Sequence, residues 1–269
     1  MQRRCVVLGT CVAIALAVGF QQAEPLGELR KYGSVSTSGV WVDGQLHGLR
    51  FVAACESLQQ FREAMKVLRR CPSVNRIYVQ KMMNLRDALV EVAAIDHIAA
   101  LELRRTDVNE ADLVVLAGMK SLQFLDLSRN PSVTDAGIAG LAGLENLRYL
   151  NLTDTRVTGT GLKDRADMVS LYQLNLTDCP VTDESLVAIP HFPKLEELLI
   201  GGTEVTDKGL MSLVGWHSLR RADRTLRTTK AGSQAFNEAF LADRRNAREA
   251  GEQMDARDIP PVFLDNWRE

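Results

Sequence analysis

Leucines recur along most of the chain in a short motif, L-x-x-L-x-L, that begins again every 24 or 25 residues. The first leucines of four copies are Leu122, Leu147, Leu171 and Leu195, and related apolar triplets begin upstream at Val74 and Ile98. Alternation of apolar and other residues at the end of each motif is typical of a β-strand. A period between roughly 20 and 29 residues indicates a solenoid in which each unit stacks on the next.

A second apolar pattern follows each predicted strand. A valine precedes a polar residue that suits a helix start, namely Asn109, Thr134, Thr158, Thr182 or Thr206, and a carboxylate usually comes next. Such residues cap helix N-termini, and the negative charge is favourable there. Apolar residues then recur three positions apart, as at Leu210, Leu213 and Trp216. The pattern predicts a short helix whose apolar stripe faces the strands.

The stretch from Leu195 to Leu210 has the form L-x-x-L-x-I-x-x-T-x-V-T-D-x-G-L. In this form the chain resembles leucine-rich-repeat proteins of the bacterial and cysteine-containing subtypes, over roughly residues 50–235. The resemblance implies an α/β fold, a right-handed leucine-rich-repeat solenoid of about seven repeats with a concave parallel sheet and terminal caps. It also implies a protein that mainly binds other macromolecules and is rarely an enzyme through its repeats.

The N-terminus has the pattern of an export signal. Arg3 and Arg4 precede an apolar run from Cys5 to Phe20. We interpret residues 1–20 as a signal peptide or, because the run is only slightly short for a full span, as an N-terminal membrane anchor. The protein is therefore expected to be exported to the periplasm or the extracellular space, or to be tethered to a membrane.

The rest of the chain divides into four predicted segments. Residues 21–38 are a polar spacer, 39–73 are an N-terminal cap hairpin and a degenerate first repeat, 74–235 are leucine-rich repeats, and 236–269 are a C-terminal cap helix and tail. Asp43-Gly44 predicts the hairpin turn. An apolar stripe predicts the cap helix from Ala235 to Ala250, with Phe236, Phe240 and Leu241 facing inward.

Two irregularities interrupt the repeats. Arg165 stands where other repeats have a core residue, so we expect weaker packing there or an arginine that extends to solvent. Asn130-Pro131-Ser132 contains the one extra residue of the longer repeat, which predicts a bulge in the loop from strand to helix.

Composition and charge narrow the function. The chain is 46% hydrophobic and 25% charged with a net charge of −2, and it has no basic run, so we expect no nucleic-acid partner. The four histidines, His47, His97, His191 and His217, have no metal-ligand spacing. We therefore expect no catalytic residues, no cofactor and no metal site.

The cysteines that follow the export segment are Cys55, Cys71 and Cys179. Cys71 is expected in the core, and Cys179 lies at the turn that ends its strand, a structural position. The sequence leaves open whether any of the three forms a disulfide.

Side chains that alternate with the core leucines must point away from the core. The predicted partner-binding residues are Tyr78, Glu102, Phe124, Asp126, Tyr149, Asn151, Gln173, Asn175 and Glu197. Aromatic side chains that face outward beside carboxylates are typical of interaction hot spots. The alternative is that Asn151 and Asn175, with Thr153 and Thr177, form hydrogen-bonded ladders between strands.

The sequence favours an exported, non-enzymatic leucine-rich-repeat module that binds a protein partner through its concave face, ahead of a cell-envelope glycan. One alternative is an intracellular adaptor like those that present substrates to ubiquitin ligases. Another is an assembly factor or an enzyme with a site built on the repeats. The identity of the partner is left open.

Overall fold

The computed structural model describes residues 25–36, 40–42, 45–47, 49–80, 82–223 and 225–249. The predicted export segment and the tail after residue 249 therefore lie outside the described residues. Within the described residues the main sheet has nine strands, and two further strands pair in a separate sheet.

Strands β1 to β11 span Gly33–Ser36, Val40–Val42, Gln45–His47, Leu49–Ala53, Val74–Val79, Ala100–Glu102, Phe124–Asp126, Tyr149–Asn151, Gln173–Asn175, Glu197–Leu199 and Arg221–Ala222. The main sheet has the order β1-β4-β5-β6-β7-β8-β9-β10-β11, and β2 pairs with β3 in the separate sheet. Neighbours from β4 to β11 are parallel and follow chain order. Helices α1 to α8 span Leu26–Leu29, Leu58–Leu68, Leu85–Ala93, Glu110–Leu116, Asp135–Ala139, Asp183–Val187, Asp207–Met211 and Lys230–Glu249. A 3₁₀ helix at Thr160–Leu162 replaces an α-helix between α5 and α6. Helices therefore alternate with parallel strands, which confirms the predicted α/β solenoid.

One continuous row of leucines forms the centre of the core. Leu125 pairs in register with Leu150, Leu150 with Leu174, and Leu174 with Leu198. All four side chains are buried. Each buried leucine stabilises the fold by roughly 1.5–3 kcal/mol, which is less than the cost of ordering a whole repeat, so stability requires neighbouring repeats.

The N-terminal edge differs from the sequence prediction. The segment 21–38 is not only a spacer, because α1 and β1 form within it and β1 pairs antiparallel with β4. Contacts with β4 define this short strand: Val35 pairs with Phe51, and a Cβ on Gly33 would clash with the Val52 carbonyl oxygen. Strand β1 therefore covers the edge that β4 would otherwise expose.

The predicted hairpin is present as the antiparallel pair β2 and β3, joined through Asp43-Gly44, which lies outside the described residues. It does not extend the main sheet. Among the described residues, none of the helices combines the length and the apolar character needed to cross a bilayer.

The C-terminal helix α8 begins at Lys230, earlier than the predicted Ala235. Thr229 explains the early start, because its hydroxyl accepts a hydrogen bond from the Gly232 N–H (2.9 Å) in the same manner as the repeat helices begin. Phe236 and Phe240 are buried as predicted, whereas the prediction for Leu241 is wrong, since 41% of it is exposed. Leu241 is rotated about 100° around the helix from Phe240.

A carboxylate at the start of most repeat helices bonds to the threonine that begins the next repeat helix. Asp183, for example, accepts hydrogen bonds from the Thr206 N–H (2.7 Å) and hydroxyl (2.6 Å). The pairs are Glu110–Thr134, Asp135–Thr158, Asp183–Thr206 and Asp207–Thr229. We call this contact the carboxylate staple. The sequence interpretation assigned these carboxylates only to their own helix ends, but they also join adjacent repeats.

The staple explains the glycine in the T-D-x-G motif. A Cβ on Gly209 would clash with the Asp183 Oδ1, and one on Gly161 would clash with the Asp135 carbonyl oxygen. Glycine is therefore required so that the preceding repeat can approach closely.

At the boundary after the repeat that begins at Leu147, Gly159 stands at the position of the stapling carboxylate, so the staple cannot form there. Thr182, which would receive the contact, instead forms a capping box with Ser185 in its own helix. The same repeat holds the 3₁₀ helix and Arg165, whose Nη1 donates to the Ala139 carbonyl (3.1 Å). The packing irregularity predicted at Arg165 thus coincides with a reduced helix, while the strands continue through β8 and β9.

One residue in the turn that follows each strand from β6 to β10 is buried and forms hydrogen bonds within that turn or to the adjacent repeat. Thr155 and Thr203 each donate their hydroxyl to a carbonyl of their own repeat (2.7 Å in both cases). Cys179 occupies the same position and donates to the Leu152 carbonyl at 3.0 Å, which agrees with the structural use expected for it. Asn130 is also at this position, and the Val133 N–H donates to its carbonyl (3.0 Å), so the extra residue lies in a turn.

Candidate functional site

The open face of the sheet, defined by the strand side chains that alternate with the buried leucine row, carries all the residues predicted to bind a partner. All nine are half-buried, and each lies next to at least one fully buried residue of its strand. They lie on β5 to β10. The strand alternation thus places these side chains together on one rigid face.

An arginine–glutamate cluster, formed by Arg50, Arg76 and Glu102, lies at the N-terminal end of the open face. The Arg50 Nε and Nη2 donate to the two carboxylate oxygens of Glu102, each at 2.8 Å. The Arg76 Nε donates to the Glu102 Oε1 at 2.6 Å. Bidentate pairing with a second arginine fixes the Glu102 side chain in one orientation.

The same arginines cover two aromatic rings. The Arg50 guanidinium carbon lies 5.2 Å from the centre of the Tyr78 ring, and that of Arg76 lies 4.9 Å from the centre of Phe124. Both distances allow cation–π attraction. Sequence reasoning did not select Arg50, because the register of β4 shifts relative to β5 between Leu49 and Arg50.

An aromatic row, formed by Phe124, Tyr149 and Tyr172, continues from this cluster across three strand positions. The ring centres of Phe124 and Tyr149 are 6.2 Å apart, and those of Tyr149 and Tyr172 are 5.7 Å apart. These separations are typical of tilted aromatic pairs. Tyr172 was missed because it directly follows a core leucine and does not belong to the alternating set.

The asparagines next to the row bond within their own repeats. The Asn151 Oδ1 accepts from the N–H (3.1 Å) and the hydroxyl (2.7 Å) of Thr153. The Asn175 Oδ1 accepts from the Thr177 N–H at 2.9 Å. These acceptors thus stabilise the strand ends locally instead of bonding across strands as the ladder alternative predicts.

Charges also alternate at the C-terminal end of the open face. Arg221 lies between Glu197 (3.9 Å) and Asp223 (3.8 Å). Burial raises the pKa of Asp223, and the Arg221 charge opposes that shift. The three groups are partly exposed, so each pair contributes little to stability.

A groove runs along the edge of the sheet where the chain enters the strands, beside the aromatic row. Its volume is about 350 Å³. We call it the rim groove, and it is lined by Gln123, Asn146, Arg148, Ser170, Tyr172 and Lys194. The lining residues come from the positions just before and just after the first leucine of each motif, so the groove crosses several repeats.

Histidines and cysteines lie in structural settings. The His217 Nε2 is 2.9 Å from an Asp243 carboxylate oxygen, and the His191 ring centre is 4.8 Å from that of Trp216. Cys55, Cys71 and Cys179 form no disulfide with one another in the described part of the chain, and burial raises the pKa of Cys55 and of Cys179. Within the part of the chain that the structure describes, no three His, Cys, Asp or Glu residues are grouped so that they could hold a metal ion.

A match to one protein-family model agrees with the repeats of this architecture. Residues 118–142, 143–164 and 169–189 match the family model described as Leucine Rich repeat. No curated protein matches the chain significantly.

Two examples represent the solved structures to which the chain is similar. An internalin (inlF) from Listeria monocytogenes is 15% identical with a TM-score of 0.42, covering 65% of this chain and 53% of that chain. The ectodomain of the plant membrane receptor kinase GASSHO1/SCHENGEN3 from Arabidopsis thaliana, in complex with CASPARIAN STRIP INTEGRITY FACTOR 2, is 14% identical with a TM-score of 0.35, covering 58% of this chain and 18% of that chain. The chain thus spans about half of the internalin and less than a fifth of the ectodomain.

Proposed function

Because the chain is a leucine-rich-repeat protein, we propose that it is a non-enzymatic protein-binding module that engages its partner through the open face of the sheet. The observation that carries the proposal is the aromatic row, in which three neighbouring rings contact one another on a face of half-buried side chains. Repeat solenoids use such extended surfaces for binding.

The physical argument rests on preorganisation. Side chains that project from paired strands lose little conformational freedom on binding, so more of the contact energy appears as affinity. Tyrosine and phenylalanine offer large rigid surfaces at low entropic cost, and they are common at hot spots. The arginine–glutamate cluster adds fixed polar groups whose mutual bonds are already formed.

Photo-crosslinking in cells that express the protein tests this proposal. A photoreactive amino acid at Gln173, beside the aromatic row, should yield a specific crosslinked partner that mass spectrometry identifies. The double variant Phe124→Ala/Tyr149→Ala should reduce that yield at least about tenfold, since each ring is expected to act as a hot spot.

The matched control changes two exposed valines on the helix side, Val114→Ala/Val187→Ala, and should leave the crosslink unchanged. Thermal unfolding of both double variants checks that the fold is retained. Equal crosslinking by the aromatic double variant and the wild type would contradict binding through the open face, as would crosslinks obtained only from the helix side.

Export is a separate part of the proposal, supported by the charged start and apolar run of residues 1–20. We expect the protein in a membrane or extracytoplasmic fraction of the native cell. Replacing Val12 and Leu16 by arginine should retain the protein in the cytosol, because charges in the apolar run prevent insertion. Wild-type protein found in the cytosolic fraction would contradict export and would favour an intracellular adaptor.

A further inference from the structure

We infer that the rim groove binds a carboxylate side chain of the partner protein, so that the segment docked on the aromatic row is acidic. This inference depends on the proposed function, because the groove adjoins the same row. Tyr172 belongs to both features: it lines the groove, and its ring lies 5.7 Å from that of Tyr149. A ligand that fills the groove therefore also meets the aromatic row.

The groove contains donors that the protein itself does not use. Lys194 is exposed and makes no hydrogen bond or ion pair with another described residue. The same holds for the side chains of Ser170 and Gln123 within the described part of the chain, although both are half-buried at the groove. By contrast, the Asn146 amide already donates to the Lys120 carbonyl (2.9 Å). The groove thus offers an ammonium, a hydroxyl and an amide to an incoming acceptor.

The surrounding charges favour an anion. Arg148 and Lys194 both line the groove. Two carboxylates act on Tyr172, and both have a cationic neighbour: Glu196 lies 2.9 Å from the Arg220 Nε, and Glu197 lies 3.9 Å from the Arg221 Nη1. Attraction of a carboxylate by two cations on one rim is strengthened where the wall also excludes water.

Tyr172 acts as a neutral donor or acceptor in this setting. Burial raises the pKa of Tyr172 to about 12, and the charges of Glu196 and Glu197 and a hydrogen bond with Glu196 add to the shift. The phenol therefore keeps its proton at neutral pH and adds no negative charge to the groove.

A protein carboxylate fits these observations better than a free anion does. The aromatic row can pack against an apolar or aromatic side chain of the partner. The groove offers hydrogen-bond donors to an acceptor on the same segment of the partner. An extended peptide that carries Asp or Glu next to an aromatic or aliphatic residue supplies both. Side chains of such a strand-like segment project at regular intervals along the sheet edge.

Selection from a phage-displayed library of random linear peptides on the immobilised full chain tests the inference. Enriched peptides should carry an acidic residue beside an aromatic or aliphatic one. Their binding should fall at least about tenfold on Lys194→Glu and weaken as salt is added, because the contact is electrostatic. Lys194→Arg should retain binding, and Lys163→Glu, which makes the same charge change at an exposed site on the helix side, should have no effect.

The outcomes separate the inference from the proposed function. Peptides without acidic residues, or acidic peptides that still bind Lys194→Glu, would overturn the inference. If those peptides nevertheless lose binding on Phe124→Ala/Tyr149→Ala, binding through the open face stands without the groove. Peptides that tolerate both changes would overturn the two together. Because Lys194 is exposed, its replacement does not endanger folding, and thermal unfolding of each variant verifies this.

Discussion

Replacing Asn130 with alanine should lower the free energy of unfolding by roughly 2–4 kcal/mol, because buried backbone groups would lose their partners. Asn130 is fully buried. Its Oδ1 accepts from the Thr106 N–H (2.9 Å), and its Nδ2 donates to the carbonyls of Leu103 (2.7 Å) and Leu127 (2.8 Å). One side chain therefore satisfies groups of two adjacent repeats. Denaturant unfolding followed by circular dichroism measures the change.

Asn146→Ala is the matched control for this variant. Asn146 makes a similar bond to an adjacent repeat, from its Nδ2 to the Lys120 carbonyl (2.9 Å), but at an exposed position where water can replace it. We expect its free energy of unfolding to fall by less than about 1 kcal/mol. Equal effects of the two alanines would show that burial does not determine the contribution of the Asn130 bonds.

Leu174→Ala should destabilise the fold by roughly 2–5 kcal/mol, the usual cost of a cavity left by a buried leucine. Leu174 is fully buried and pairs with Leu150 on one side and Leu198 on the other. Neither neighbour can move into the space without leaving its own position in the row. The loss should appear as a lower denaturation midpoint.

The neighbouring strand supplies the control for the core variant. Leu199 on β10 allows the same leucine-to-alanine substitution on the opposite side of the sheet, where its side chain is half-buried in the open face. Leu199→Ala should cost less than about 1.5 kcal/mol, because little cavity volume results. If Leu199→Ala lowered the free energy of unfolding as much as Leu174→Ala does, burial would not explain the contributions of the two leucines.

The arrangement of the sheet was predictable from sequence because the repeat spacing fixes the strand register. Once Leu150 and Leu174 are aligned, the residues on either side of each leucine must face away from the core, which places Tyr149 and Asn151 on the open face. The pattern requires no knowledge of rotamers or of distant contacts. That is why the predicted partner-binding residues are found together.

Contacts between side chains of different repeats were not predictable in the same way. The carboxylate staple joins residues that are 22 to 24 residues apart, such as Asp183 and Thr206, and the local pattern explains each of them equally well as part of its own helix. The contacts of Arg50 with Glu102 and Tyr78 depend on a register shift and on side-chain conformation. The strand β1 was missed because its short alternation is weak beside its polar residues.

The absence of a carboxylate at Gly159 has a mechanical consequence. Each repeat contacts only its two neighbours, so a bending force deforms most the interface that has the fewest contacts. At this boundary the strands and the leucine row continue, but the helix side has a single 3₁₀ turn and, among the described residues, no staple. The rim groove crosses the same boundary, with Arg148 on one side and Tyr172 on the other. We therefore expect bending of the solenoid at this boundary to change the width of the groove.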